Sequence, residues 1–574
     1  MAGQRPNNLF ATRQVNNSNK PNLQLAKAFG GSKTQSAPIV PVNPGTLSPK
    51  GGYLLCDTGF SFRTVDNQLV FGSEVQRFKH IGNLYDEAAV MRLSVTKLKR
   101  VQSIYHLLRH GVVGQEVKVQ GWVRHFRKHK SVSFLQLSDG LSACSLQVVV
   151  PKEAPSHFNV GAAVEVRGIL QQSEGKEQEV DLTASEIILI GDCERLDYPF
   201  ASRKKQLPAT LRQHPHLRPK TSSFGAFLRI RSRMKYALHR YFQVRTYSIL
   251  ADDDSVSCFK DKGFVLIECP VITSNDCEAA GETFLVDALG RSQLESGENA
   301  APAGKANSDN FFGHPVYLTV SGQLHLEAAA CALKQVYTFG PTFRAESSLT
   351  RQHLAEFQML EVELAFCNEL ETLLQLVEDI VVFCARELLT SSPDDFELCQ
   401  QYHGTNSKSL LSKISEMDSF PKITFAEAVE ILQKHSALPF SMVKHIGKAS
   451  ERYLVQHFGN KPVFVVDYPS DVKPFYMKRS RQNNTACCFD LLVPHVGELC
   501  GGSLRETDYA TIAERVTSMG MADQLQWYAD LRKYGYANLG GFGLGFERLL
   551  QFLLAIENIK DCVAFPRWYR HCLT

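Results

Sequence analysis

What this sequence lacks narrows it before any motif is read. It has no apolar run near the ~18 residues that a membrane-spanning helix needs. The apolar stretches at Ile380-Val381-Val382-Phe383 and Leu549-Leu550 are short and sit in helical patterns. There is no C-x-x-C: 15 cysteines are scattered and only Cys487 and Cys488 are close, so zinc-ligand spacing is absent. A chain of 574 residues has no need of a disulfide framework, and the cysteines read as reduced and mostly packed. Net charge is nearly absent, +4 from 63 Lys and Arg against 59 Asp and Glu, so the total does not mark a nucleic-acid binder. A hydrophobic content of 44% excludes wholesale disorder and collagen-like repetition. At ~150 residues per domain the length suggests about four domains, or two or three larger ones.

One absence is local. Residues 1–56 contain no Asp or Glu, yet carry Arg5, Arg13, Lys20, Lys27, Lys33 and Lys50. The stretch is rich in Asn, Ser, Pro and Gly and has no apolar core of the secretory kind. An acid-free, basic, Ser-containing leader is expected of mitochondrial targeting, with a disordered tail as the alternative. Residues 57–100 read as a poorly defined extension with some helical potential near Tyr85–Lys99.

What is present begins with period-2 alternation from about Val117 to Leu189, broken by turn signals. Runs at 117–123, 133–137, 146–150, 163–168 and 185–189 predict five strands. Five strands in so short a span suit an all-β OB-fold barrel over 101–194, a common oligonucleotide-binding module. The predicted first turn is basic, with Arg124, His125, Arg127, Lys128, His129 and Lys130 beside Phe134. Base stacking with phosphate neutralisation needs that pairing; a solvated hairpin with Phe134 in the core fits the stretch equally well. Residues 195–222 then form a basic hinge. Arg195 to Lys220 holds seven Lys and Arg, one acid (Asp197) and four prolines. Proline argues against a long helix there, and the charge suits phosphate contact or simple solubility.

The C-terminal part, 223–574, reads as α+β. Helices are expected over 224–242, 324–333 and 369–388, and strands over 263–270, 316–320, 336–343, 356–366, 488–492, 498–504 and 539–544. Three elements carry chemistry. Gly540-Gly541-Phe542-Gly543-Leu544-Gly545-Phe546-Glu547-Arg548 is neither a P-loop nor G-x-G-x-x-G. Alternating glycines bare one face of a strand, so that a flat ring can lie on backbone, and Arg548 begins a helix whose positive end favours phosphate. Phe343-Arg344-Ala345-Glu346, a polar loop and His353-Leu354-Ala355-Glu356-Phe357 offer an arginine for phosphate and a ring for a purine. Asp490 with Glu498 can share a hard cation such as Mg²⁺. Each pattern alone also fits a packing contact or a surface ion pair.

Together and in this order they resemble the class II aminoacyl-tRNA synthetases: motif 1 ending at Pro270, motif 2 at 343–346 and motif 3 at 541–548. A barrel ahead of the catalytic domain resembles the subclass for aspartate, asparagine and lysine. Residues 272–282, the run Ser321-Gly322-Gln323-Leu324-His325-Leu326-Glu327, and Tyr468-Pro469 with Lys473-Pro474-Phe475-Tyr476-Met477 are similar to the asparaginyl family. The aspartyl enzymes carry lysine where Leu326 stands. The leader, the compact 392–421 segment and the short Cys-containing tail look most like mitochondrial members. The likeness covers about residues 101–566.

The resemblance implies an antiparallel-sheet catalytic domain preceded by an OB-fold anticodon-binding barrel, in a homodimer without membrane contact. It implies a ligase that uses ATP and Mg²⁺ to activate L-asparagine and then charges tRNA(Asn) in the mitochondrial matrix. By the same resemblance, Glu278 and Gln323 hold the substrate ammonium, Glu327 accepts from the side-chain amide and Arg505 donates to its carbonyl. Arg344 and Arg548 are catalytic, on the α- and γ-phosphates. Glu346, His353, Phe357, Gly543 and Gly545 complete the ATP site, with Phe357 stacked on adenine. Asp490 and Glu498 bind Mg²⁺, and Arg127, Phe134 and Gln147 read the anticodon. Two departures stand out. Gln352 occupies the position where the family commonly has arginine, and residues 244–258 look inserted at the junction that forms the family's dimer interface. An aspartyl or non-discriminating enzyme and a non-catalytic RNA-binding paralogue are the competing readings. Glu327 with Leu326 argues against the first, and the retained Arg344, Glu346, Glu498, Arg505 and Arg548 against the second.

Overall fold

The computed structural model describes residues 101–574 except 152–157, 176–177, 201–205, 244–262, 276–281, 287–310, 436–445 and 481–482. It also describes three short N-terminal strands. These are β1 (Tyr53–Leu55), β2 (Ser61–Val65) and β3 (Gln68–Val70), joined as an antiparallel sheet. They belong to a unit, residues 1–99, separate from the unit 100–574. The rest of the leader, the helical potential at 85–99 and the inserted 244–258 lie outside the described residues.

The barrel forms because alternate positions along each strand are apolar. In β5 (Val132–Ser138) Leu135 and Leu137 are buried, and in β6 (Leu146–Pro151) so are Leu146, Val148 and Val150. With β4 (Glu116–Lys128), β7 (Ala163–Gln172) and β8 (Val180–Gly191) they close in the order β4-β5-β6-β8-β7. Helix α1 (Ile104–His110), capped by Ser103, plugs it with Ile104 and Leu107. One expectation is corrected. β4 runs on to Lys128, so Arg124, His125, Arg127 and Lys128 lie on a strand rather than in a turn. Phe134 faces outward between the buried Ser133 and Leu135 and is no part of the core.

The hinge is less free than its charge suggests. Pro208 opens a short helix, α2 (Pro208–Gln213). Arg218, fully buried, donates to the backbone oxygens of Lys560, Val563 and Ala564 and lies 3.7 Å from Asp561. Arg124 reaches the Lys220 carbonyl. Buried among those carbonyls, Arg218 is not available to phosphate.

The catalytic part is built on an eight-stranded sheet, with six central strands antiparallel and a parallel pair at each edge. Its order is β15 (Lys422–Thr424), β16 (Val463–Val466), β17 (Cys488–Val493), β18 (Gly497–Leu504), β19 (Leu539–Gly545), β14 (Glu356–Ala365), β13 (Gln335–Phe343) and β9 (Val265–Leu266). Helix α3 (Ser222–Gln243) buries Phe227, Ile230, Met234, Leu238 and Phe242, a helical 3-4 repeat, against Tyr337, Phe339, Leu360 and Val362 of the sheet. Phe264 N–H donates to Phe242 O at 3.2 Å. Four helices that sequence periodicity had not singled out, α8 (Phe425–His435), α9 (Lys448–His457), α10 (Tyr509–Ser518) and α11 (Ala522–Asp530), bury Leu432, Leu454, Ile512 and Leu525 in a second cluster.

Candidate active site

The open face of the sheet holds a cavity of about 370 Å³. Its floor is backbone. Gly501 of β18 pairs directly with Gly543 of β19, and both line the cavity with Gly545. A Cβ on Gly501 would stand 3.1 Å from Asp490 Oδ1 and 3.6 Å from Glu498 Oε1. A Cβ on Gly541 would sit among the Glu363 carboxyl atoms and Val362 O. The first glycine keeps two carboxylates open to the cavity; the second makes room for a third.

At one end the cavity collects positive charge. Arg344 follows β13 and lies 5.6 Å from the Phe357 ring centroid. Arg548, in the first turn of helix α12 (Phe546–Leu554), donates to Glu498 O at 3.1 Å. His353 bonds Ser348 and Thr350 through Nδ1 and lies 3.3 Å from Glu346. Burial pushes its imidazole below its usual value, against the pull of Glu346. Lys473 Nζ grips both Asp490 oxygens, at 3.2 and 2.9 Å. Burial raises the Asp490 carboxyl. Although burial also acts on Glu498, Arg548, Lys448, Lys473 and Arg344 hold it below its ordinary value. More cations than this carboxylate can balance converge there, which suits a polyphosphate. Arg351 turns outward to Glu557, while Gln352 lines the cavity and donates to His495 O at 3.3 Å. The departure from arginine therefore leaves an uncharged amide in the wall.

At the other end acids face one arginine. Arg505, 2% exposed, is bonded through Nε and Nη2 to both oxygens of Glu363 and through Nη1 to Ser503 at 2.7 Å. Burial lifts the Glu363 carboxyl to about 8 against the pull of Arg505, while Glu363 and Glu327 keep the guanidinium charged. Glu361 accepts from Ser321 and Gly322. Gln323, Glu361, Glu363, Tyr476 and Arg505 all line the cavity.

Glu327, expected to accept from the substrate amide, is set back from the cavity. It is fully buried, does not line the cavity, and is occupied by Gln323, Tyr528, Tyr536 and Arg532. The acids that reach the cavity beside Arg505 are Glu361 and Glu363. Their E-x-E spacing on the buried strand β14 was the available signal, since two buried acids on one strand demand partners. Glu278 lies outside the described residues. Arg344, Glu346, His353, Phe357, Gln323, Asp490, Glu498, Arg505, Gly543, Gly545 and Arg548 come together in this one cavity.

The barrel carries its own pocket of about 160 Å³, lined by His125, Arg127, His129, Phe134, Gln136 and Gln147. The His129 ring meets Phe134 edge-on at 5.5 Å, and Gln147 donates to Asp181 at 3.2 Å. A half-buried ring beside an arginine offers a face on which a base could stack. No described helix is long and apolar enough to cross a membrane.

An antiparallel sheet with a glycine floor, cationic at one end and acid–arginine at the other, behind an OB barrel, is the architecture of a class II tRNA synthetase. Residues 229–569 match the family described as tRNA synthetases class II (D, K and N), and 117–190 match the OB-fold nucleic acid binding domain. An asparaginyl-tRNA synthetase of Mus musculus is 43% identical over 80% of this chain and 91% of its own length. A probable mitochondrial asparagine–tRNA ligase of Dictyostelium discoideum is 40% identical over 80% of this chain and 94% of its own length. The crystal structure of asparaginyl-tRNA synthetase from Pyrococcus horikoshii complexed with asparaginyl-adenylate is similar at TM-score 0.69 and 25% identity, covering 83% of this chain and 100% of that one. The chain belongs to the asparaginyl-tRNA synthetase family and is an asparagine–tRNA ligase.

Proposed function

We propose that this enzyme charges tRNA(Asn) in the mitochondrial matrix, with the cavity residues in the following roles. ATP lies on the Gly501–Gly543–Gly545 floor with adenine on Phe357, and Glu346 and His353 close that end. Arg344 neutralises the α-phosphate and Arg548 the γ-phosphate. Asparagine lies at the other end, its ammonium on Gln323, its side-chain carbonyl on Arg505 and its amide NH₂ on the Glu361–Glu363 acids. Aspartate has no NH₂ to donate to those acid oxygens, and its second carboxylate would face the Glu361 carboxylate, so it is excluded. The carboxylate oxygen of asparagine attacks the α-phosphorus as the bond to the bridging oxygen breaks, and that electron pair leaves with pyrophosphate. The tRNA ribose hydroxyl then attacks the adenylate carbonyl; AMP leaves and the hydroxyl proton passes to phosphate or water. Positioning and charge neutralisation supply the catalysis.

Mg²⁺ would be held by Asp490 and Glu498, sharing Asp490 with Lys473. Their hard oxygens, kept open by the missing side chain of Gly501, fit the ion, which usually takes one or two carboxylates plus phosphate oxygens and water. When bound, it would offset polyphosphate charge. Among the described residues no group of three His, Cys, Asp or Glu forms a fuller site. A homodimer is supported by exposed apolar residues around the edge strand β9, namely Val265, Val271, Ile272 and Leu285. Arg127, Phe134 and Gln147 would read the anticodon. The acid-free leader and the mitochondrial relative support the compartment.

The observation that carries this reading is Arg505 with its acids, opposite Arg344 and Arg548 in one cavity. The test is transfer of labelled asparagine to a tRNA(Asn) transcript; no charging, or equal charging with aspartate, refutes it. Fluorescence from a fusion of residues 1–60 tests the compartment: a diffuse cytosolic signal refutes targeting.

A further inference from the structure

We infer that Glu327 is a positioning residue that fixes which end of the Gln323 amide faces the cavity, and so sets the affinity for the amino acid's ammonium group. The inference rests on the asparagine-ligase reading. Gln323 and Glu327 stand four apart on helix α4 (Gln323–Leu333), on one face. Gln323 lines the cavity; Glu327 lies behind it, fully buried. Gln323 Nε2 donates to Glu327 Oε1 at 3.0 Å. A carboxylate only accepts, so the NH₂ end must turn inward, and the amide oxygen is the end left for the cavity. An ammonium only donates, so that orientation is the one that binds it.

Glu327 is itself held from every side. Oε2 accepts from Tyr528 Oη at 2.8 Å, Tyr536 Oη at 3.2 Å and Arg532 Nη2 at 3.3 Å. Arg532 also donates to Tyr528 Oη at 2.9 Å, which turns the phenolic proton toward Glu327. The guanidinium is packed between the Tyr528 and Tyr536 rings, 4.1 and 4.2 Å from their centroids. Arg505 Nε is 3.6 Å from Oε1. Every neighbour is a donor, so the site demands a pure acceptor.

Glu327→Gln puts an NH₂ against one of these donors. Its relief is inversion of Gln323, which turns NH₂ toward the ammonium. ATP–pyrophosphate exchange by the full-length enzyme is expected to show the KM for asparagine rising about 10- to 100-fold, with the KM for ATP within twofold of wild type. The double variant Glu327→Gln/Gln323→Glu reverses donor and acceptor between the two positions and restores an oxygen to the cavity, so its KM for asparagine is expected to return to within about fivefold of wild type. KM is read independently of the folded fraction, so partial unfolding does not obscure it. An asparagine KM unmoved in Glu327→Gln overturns the inference, and so does a double variant no better than that single. A merely structural role would lower the melting temperature and the active fraction without moving KM and without rescue. Wild-type exchange with asparagine is the control: its absence refutes the ligase reading itself.

Discussion

Replacing Arg505 with methionine removes the cation between two buried carboxylates. Glu363 is 1% exposed and Glu327 0%, and Arg505 bonds both oxygens of the first and lies 3.6 Å from the second. Loss of one partner from such a buried pair costs about 3–5 kcal/mol. In a catalytic domain of this size that corresponds to a fall of roughly 4–7 °C in melting temperature. Glu363→Gln leaves Arg505 with Glu327 and Ser503, so its cost is smaller, about 1–3 kcal/mol. The double variant is expected to lose less than the sum of the singles by about 1 kcal/mol or more. The pH dependence follows from the sign of the shift. Burial holds Glu363 at about 8 in the fold, above its unfolded value of ~4.3. The folded state then binds the extra proton between those values, so this contribution is full below the unfolded value and declines as pH rises, ending near pH 8. Without Arg505 the carboxyl climbs further, and the decline continues past that pH with a slope of up to ~1.4 kcal/mol per pH unit. Melting curves by scanning fluorimetry from about pH 6 to about pH 9.5 read both effects. An Arg505→Met variant that melts within about 2 °C of wild type, or is more stable than Glu363→Gln, refutes the electrostatic account.

Three further outcomes are expected. Phe134→Ala removes a half-buried barrel ring and is expected to raise the KM for tRNA(Asn) by about 5- to 100-fold, since a stacked base is worth ~1–3 kcal/mol, while tRNA-independent pyrophosphate exchange stays at wild type; a change in exchange instead would place Phe134 in the fold. Gly501→Ala puts a methyl 3.1 Å from Asp490 Oδ1; the Mg²⁺ concentration for half-maximal exchange is expected to rise about tenfold, with a stability loss of about 1–3 kcal/mol, and an unchanged Mg²⁺ requirement refutes the carboxylate assignment. Arg218→Met removes a buried hub of carbonyl contacts and is expected to destabilise by about 3 kcal/mol or more without altering the salt dependence of tRNA binding; a shallower salt slope would restore it as a phosphate contact.

Much of the scaffold was legible because its periodicities are strong. Helix α3 and the paired strands β13–β14 and β17–β18 fall within a few residues of their predicted spans. The cavity's chemistry was legible at Arg344, Arg548, Asp490 and Glu498, where charge stands beside glycine or a strand end. Depth was not. Gln323 and Glu327 share a helix face by spacing, yet only packing shows that one lines the cavity and the other lies behind it. The partners that enclose Glu327, Tyr528, Arg532 and Tyr536, come from 201 to 209 residues away, beyond the reach of any local pattern. Arg218 looked like one more charge in a basic hinge because nothing nearby in sequence announces the carbonyls of 560–564 that bury it. The strand alone left Phe134 open, because a half-exposed ring and a core ring carry the same letter, and only the resemblance assigned it to the anticodon; the alternation of its buried neighbours shows its face.

The central claim is that Arg505 and its acids select an amide over a carboxylate in the substrate side chain. The direct measurement is ATP–pyrophosphate exchange by the purified full-length enzyme, with kcat/KM determined for asparagine and for aspartate. The expected ratio is about 100-fold or more in favour of asparagine, because aspartate cannot donate to the acid oxygens and leaves buried polar groups unpaired. A ratio near one, or a preference for aspartate, contradicts the account.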